Sequence, residues 1–189
     1  MKETLTLWER MRGECRGSRE LAVRLALLSL MLLTGCNLVK GLPKDHECRS
    51  SLRSITGLEF AYFSEHQKYS VHPVEIGFAP AQGNRYLYLF AAEGPLTRRD
   101  ELPSPPLGES VGYGPDTKHR DVLLEDLLVK LPKEIRSMVG LEGTCPACEI
   151  TVACVGNLDA DPDVDVWTIS TKDRPEAAKG TPIHHLKDL

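Results

Sequence analysis

The sequence predicts an α+β domain: one long helix first, then antiparallel strands, with a long loop and a short helix inserted between them. Three observations carry this. Cys48, Leu52, Ile55, Leu58-Glu59 and Tyr62 recur at helical spacing, so one stripe is apolar. Residues 85–91, 149–154 and 164–170 change to a period of two, as half-buried strands do. Between the first and second of these stretches lie Pro95, Pro103, Pro105, Pro106 and Pro115, which keep the chain out of regular structure.

Ahead of the helix the chain reads differently. Arg10, Arg12, Arg16, Arg19 and Arg24 precede an almost purely apolar run from Leu25 to Leu33, which closes on Thr34-Gly35-Cys36. A basic flank, a short apolar core and small residues at a cleavage point make a secretory signal peptide. The run falls short of the ~20 residues a membrane-spanning helix needs. Leu33-Thr34-Gly35-Cys36 resembles the lipobox of bacterial lipoproteins. That resemblance implies cleavage before Cys36, a diacylglycerol on its thiol and a further acyl chain on its amine. Residues 1–35 are then the signal peptide, started at Met1 or at Met11, and 36–46 the lipidated cysteine and a tether containing Gly41 and Pro43. Asn37 stands where enteric lipoproteins retained in the inner membrane have Asp, so the resemblance favours an outer-membrane anchor, with the domain periplasmic or surface-exposed.

The globular part is expected from Glu47 to Leu189. Pro73 forbids the first helix from extending far past "KYS". "RYLYLFA" reads as the first strand. Residues 93–118 read as a long irregular loop, and Asp121 to Lys130 as a helix with Val122, Leu123, Leu127, Leu128 and Leu131 on its apolar side. Residues 93–140 thus form an insertion. Ile150, Val152 and Cys154 share one strand face, and "GNLDADPD" is a turn into a partner strand. There Val164, Val166 and Thr168 face opposite to Trp167 and Ile169. The tail after Arg174 is polar and without period.

The 189 residues carry a formal charge of −4, and 41% are hydrophobic. One modest core is affordable on that length, and no broad basic face points to nucleic acid. Six cysteines favour an oxidising compartment. With Cys15 lost on processing and Cys36 lipidated, Cys48, Cys145, Cys148 and Cys154 allow three disulfide pairings. Cys48 and Cys154 both occupy inward-reading positions, which favours a helix-to-strand bridge with Cys145 and Cys148 as a local pair.

Two motifs could carry other chemistry. Cys145-Pro-Ala-Cys148 has the spacing of thiol oxidoreductases, yet it precedes a strand where redox chemistry wants a helix N-terminus. Asp159, Asp161 and Asp165, with Asn157 and Asp163, put oxygens at every second position, as calcium loops do. The Gly and distant Glu of an EF-hand are missing, and an Asx-rich turn explains the same residues. His184-His185 lack zinc-site partners, and His66, His72 and His119 read as ordinary surface residues. No nucleophile–base set, phosphate loop or acid pair stands out.

The separated strings "ECRSSLRSITGLEFAYFSEHQKYSVHPVEIGFAPAQGNRYLYLF", "GTCPACEITVACVGNLDADPDVDVWTIS" and "GTPIHHLKDL" together resemble the globular part of a type IV pilin. The resemblance covers about Glu47 to Leu189, with 93–140 as its weak middle. It implies that the first helix packs across an antiparallel sheet. It departs at the front. A pilin's cleavage site is followed by an apolar helix of ~20 residues that spans the membrane and forms the filament core. Here the apolar run precedes Gly35, and Lys40 stands where a pilin carries Glu. The expectation is a non-enzymatic, lipid-anchored, pilin-like envelope protein, partnered by pilus or type II secretion-like components. The alternatives are an envelope thiol oxidoreductase using Cys145 and Cys148, or a surface adhesin.

Overall fold

A single sheet with two covered faces organises the domain. The structure, a computed structural model, describes residues 46–98, 107–119, 123–159 and 161–187. The signal peptide, Cys36 and the tether lie outside the described residues.

Helix α1 runs from His46 to His66. Cys48, Leu52, Ile55 and Glu59 form its fully buried stripe, at spacings of four, three and four residues. Gln67, with φ of 56°, ends the helix in the left-handed region. Pro73 then directs the chain back along the helix, and the return segment reaches strand β1 at Leu87–Leu89. The Glu47 carboxylate ties the helix start to this strand, accepting the Arg85 N–H at 2.9 Å.

The loop expected at 93–118 is in part sheet. It contributes β2 at Thr97–Arg98 and β3 at Gly112–Gly114, with single 3-10 turns at Leu107–Glu109 and Thr117–His119. Strand β3 lies antiparallel beside β1, and β2 runs parallel to β3. Sequence patterning missed β3 because "GYG" presents no alternation. Its glycine is there for space: a Cβ on Gly112 would collide with the Tyr88 carbonyl oxygen and come within 2.8 Å of Leu96.

Helix α2 spans Leu124–Lys130 and α3 spans Lys133–Arg136, separated at Pro132 as expected. Asp121 and Val122, expected in the first of these helices, lie outside the described residues. Leu123, expected on the apolar side, is exposed, whereas Leu127 and Leu131 are buried. Strand β4 at Gly140–Thr144, which no alternation announced, pairs with β5 at Ala147–Gly156. Strand β6 at Asp165–Ser170 lies on the other side of β5. The tail, which reads as polar and without period, adds β7 at Ile183–Leu186 beside β6. The sheet order is β2-β3-β1-β5-β6-β7, with β4 on β5.

Alternation along the strands sorts the core into two layers. Tyr86, Tyr88, Phe90, Ile150, Val152, Cys154, Trp167 and Ile169 face α1. Leu87, Leu89, Ala153, Val155 and Val166 face the opposite side, where Leu127, Leu131 and Ile135 cover them. The parity expected for β5 and β6 holds. The consequence is that the insertion roofs the second face, so neither face of the central strands is open.

Candidate functional site

Cys48 on α1 is bonded to Cys154 in β5, with Cα atoms 6.1 Å apart and both residues fully buried. The bridge joins positions 106 residues apart, between helix and central strand. Cys145 and Cys148 are bonded to each other across the turn of the β4–β5 hairpin, with Cα atoms 4.5 Å apart. Their register partners, Gly143 with Cys148 and Thr144 with Ala147, make the hairpin a two-residue turn over Cys145-Pro146. Cys148 is buried against the α1-side core, and Cys145 is half-buried beside it. Both sulfurs sit at a strand hairpin, where redox chemistry wants a helix N-terminus.

The acidic turn divides into two parts. Asp159 and Asp161 are exposed and cap the turn locally. The Asp161 N–H donates to Asp159 Oδ1 at 2.9 Å, and the Asp163 N–H donates to Asp161 Oδ1 at 2.8 Å. Asn157 Nδ2 donates to the Asp161 carbonyl at 2.7 Å. These are side chains closing an Asx turn. Asp165 is elsewhere: it opens β6 with the same facing as Trp167 and Ile169 and is fully buried. Its carboxylate accepts from Tyr86 Oη at 2.8 Å and Trp167 Nε1 at 2.7 Å, and it contacts His184 Nε2 at 2.7 Å. The three candidate calcium carboxylates are therefore not gathered. Among the described residues no group of three or more His, Cys, Asp or Glu is placed to hold a metal.

Asp165 is a hub that alternation could have revealed, since residues 165, 167 and 169 share parity. Burial and the neighbouring carboxylate push the Tyr86 hydroxyl up, so it stays a donor. His184 stacks on Trp167 with ring centroids 3.9 Å apart, and His185 Nε2 lies 2.7 Å from Thr168 Oγ1. The paired histidines thus fasten β7 to β6. His72 and His119 also proved structural: their rings lie against the Ser110 and Gly83 carbonyls at 3.2 Å. His66 is exposed, its ring stacked on Tyr62. Asp116 holds the Gly83 N–H at 2.6 Å and the Lys118 N–H at 3.1 Å, and these bonds lower its pKa.

A cleft of about 480 Å³ opens between residues 137–142 and 172–176. Lys172 and Glu142 pair across it at 2.7 Å, and Arg174 turns onto Thr151 at 2.9 Å. Its charged lining is Glu142, Asp173 and Glu176 with Lys172 and Arg174.

A helix packed across an antiparallel-rich sheet is the arrangement that the resemblance implied. The chain is 27% identical over 170 residues to the type IV major pilin protein PilA of Myxococcus xanthus (strain DK1622), an alignment covering 77% of each chain. That similarity supports a pilin-like domain. No protein-family model matches the chain. Among the described residues no helix is long and apolar enough to cross a membrane. Cys36, the expected lipid site, lies outside them.

Proposed function

We propose that this chain is a non-enzymatic, pilin-like protein of the cell envelope, anchored by lipid on Cys36. It serves as an accessory or interaction component of a type IV pilus or a type II secretion-like assembly. The observation that carries this is a mismatch. The helix-on-sheet domain resembles a pilin, yet the residues between the Gly35-Cys36 box and the helix include Lys40, Pro43 and Lys44. Such a segment cannot make the buried apolar helix on which a filament core depends. Several acyl chains on Cys36 supply the missing attachment at ~0.8 kcal/mol per buried CH₂. Partners then meet the folded surface, at a side, tip or base. The central sheet faces, one candidate docking surface, are roofed by α1 and by the insertion. That leaves the exterior of the insertion and the strand edges.

The thiol oxidoreductase alternative has the geometry against it. Cys148 is buried in the core and Cys145 sits in a strand turn, a setting unlike the exposed helix N-terminus at which low-pKa thiols attack.

Labelling growing cells with a radioactive fatty acid tests the anchor. The native protein is expected to carry label and to partition into detergent, and Cys36→Ser to do neither. A Cys36→Ser protein that is still processed and still partitions into detergent refutes the lipid anchor.

A further inference from the structure

Glu59 belongs to the strictly buried stripe of α1, where its neighbours are Cys48, Leu52 and Ile55. It is 1% exposed. One oxygen, Oε2, accepts the N–H of Ser70 at 3.2 Å; the other, Oε1, is buried with no hydrogen-bond partner. Ser70 lies in the segment that returns along α1 after Gln67. Its hydroxyl donates to Glu75 Oε2 at 2.7 Å, and Tyr62 Oη donates to the same oxygen at 3.1 Å. The His72 N–H in turn donates to Ser70 Oγ at 3.0 Å. Ser70 is thus the pin between a buried carboxyl on the helix and a surface carboxylate on the return segment.

The ionisable groups around Glu59 give it no counter-charge. From the return segment Glu75 bears on it, and a second anion disfavours ionisation. Tyr69, from the same segment, is buried; burial raises its pKa, and Glu149 of β5 and Glu59 itself add to the rise. Lys68 and His72 act on Glu75, whose pKa is lowered chiefly by the Ser70 hydroxyl. On the helix, Tyr62 is turned to Glu75. A neutral Glu59 carboxyl fits this setting. An ionised one leaves a bare anionic oxygen in the core, which a single N–H cannot offset.

We propose that Glu59 is a protonation latch: neutral, it lets the return segment Gln67–Phe78 close on α1, and ionised, it drives that segment open so that water reaches the carboxylate. Ser70 and Tyr69 lie nearest the latch, and opening them frees Ile76 and Phe78 from the α1-side core. Burial, the largest cause, raises the Glu59 pKa to about 7, so the switch falls in the range an envelope protein experiences.

Hydrogen exchange of the full-length protein in detergent solution tests this, with the Glu59 side-chain carboxyl followed by carbon-13 NMR. After correction for intrinsic rates, the open population at the Tyr69, Ser70, Ile76 and Phe78 amides should rise about tenfold from pH 6 to pH 8.5. The β6 amides should not follow, the carboxyl should titrate in step with the segment, and Glu59→Gln should hold the segment closed at both pH values. A carboxyl midpoint in the ordinary acidic range overturns the latch. So does an equal rise in Glu59→Gln. Should that variant fail to fold, the wild-type carboxyl decides alone: titration near neutral pH with the segment amides unmoved also refutes it.

Discussion

The two faces of the sheet are built on different principles. The face under α1 is aromatic and polar-linked: Tyr86, Tyr88, Phe90 and Trp167 pack there, with Asp165, Glu59 and the Cys48–Cys154 bridge among them. The face under α2 and α3 is aliphatic. Leu87, Leu89, Val155 and Val166 meet Leu127, Leu131 and Ile135 with no covalent tie. On the first face the partners are fixed by hydrogen-bond direction and by a disulfide, so few other arrangements satisfy it. On the second, aliphatic burial with one hydrogen bond, from Arg136 Nε to the Ala92 carbonyl at 3.1 Å, holds a seven-residue and a four-residue helix in place, neither long enough to persist unaided. The contrast makes the α1 face the specifying half of the domain and the insertion a cover that follows it.

Breaking the covalent tie is the largest expected effect. A Cys48→Ala, Cys154→Ala double variant frees a loop of 106 residues and should lose ~4–5 kcal/mol in chemical denaturation. Next comes the other face. Leu127→Ala removes a side chain 1% exposed and should cost about 3 kcal/mol, through the lost transfer energy and the cavity left behind. If the cover follows the α1 face, amide exchange in Leu127→Ala should quicken in α2 and α3 while α1 keeps its protection. Equal quickening in α1 would erase the distinction between the faces.

An effect no larger than that sharpens the polar side of the comparison. Glu59 has its pKa raised from the usual 4.5 to about 7, so the folded state holds a proton that the unfolded state has released. Stability is then fullest below pH 4.5, falls as pH rises toward 7, and gains no further slope from this group above it. The swing is of order 3 kcal/mol. Denaturation midpoints at pH 5 and pH 8 should differ in the native protein by more than in Glu59→Gln. A Glu59→Gln protein with the same pH slope would show that the carboxyl is not the source.

The smallest expected effect concerns the turn. Oδ1 of Asp159 and Oδ1 of Asp161 already accept backbone N–H groups, so millimolar calcium should leave the melting temperature unchanged. A rise that Asp161→Asn removes would add a metal to the turn.

The α1 face was the legible one. A helical stripe and a strict alternation over β5 and β6 are long patterns, and they located Cys48, Cys154 and the facing of Trp167 correctly. They also carried two acidic residues whose burial was not predicted. Glu59 lies four residues after Ile55 on the same stripe, and Asp165 shares parity with Trp167; the stripe and the parity place both on the core side, and both are buried. The margins of the sheet were less legible because their strands are short. "TR" and "GYG" cannot show a period, and β4 reads "GLEGT", with Gly143 at φ 85° as its fourth residue. These strands exist because β1 and β5 offer edges to pair with, a tertiary cause that local pattern does not carry. The tail becomes β7 for a similar reason: His184 and His185 find Asp165 and Thr168.

The most direct test of the central claim is electron microscopy of surface fibres sheared from cells that lack other pilins, labelled with gold against this chain. A pilin-like domain without an apolar stem, held by lipid on Cys36, predicts label on the envelope and none along a filament. Regular labelling along the length of a fibre would contradict the account, since it would show the chain polymerising without the stem.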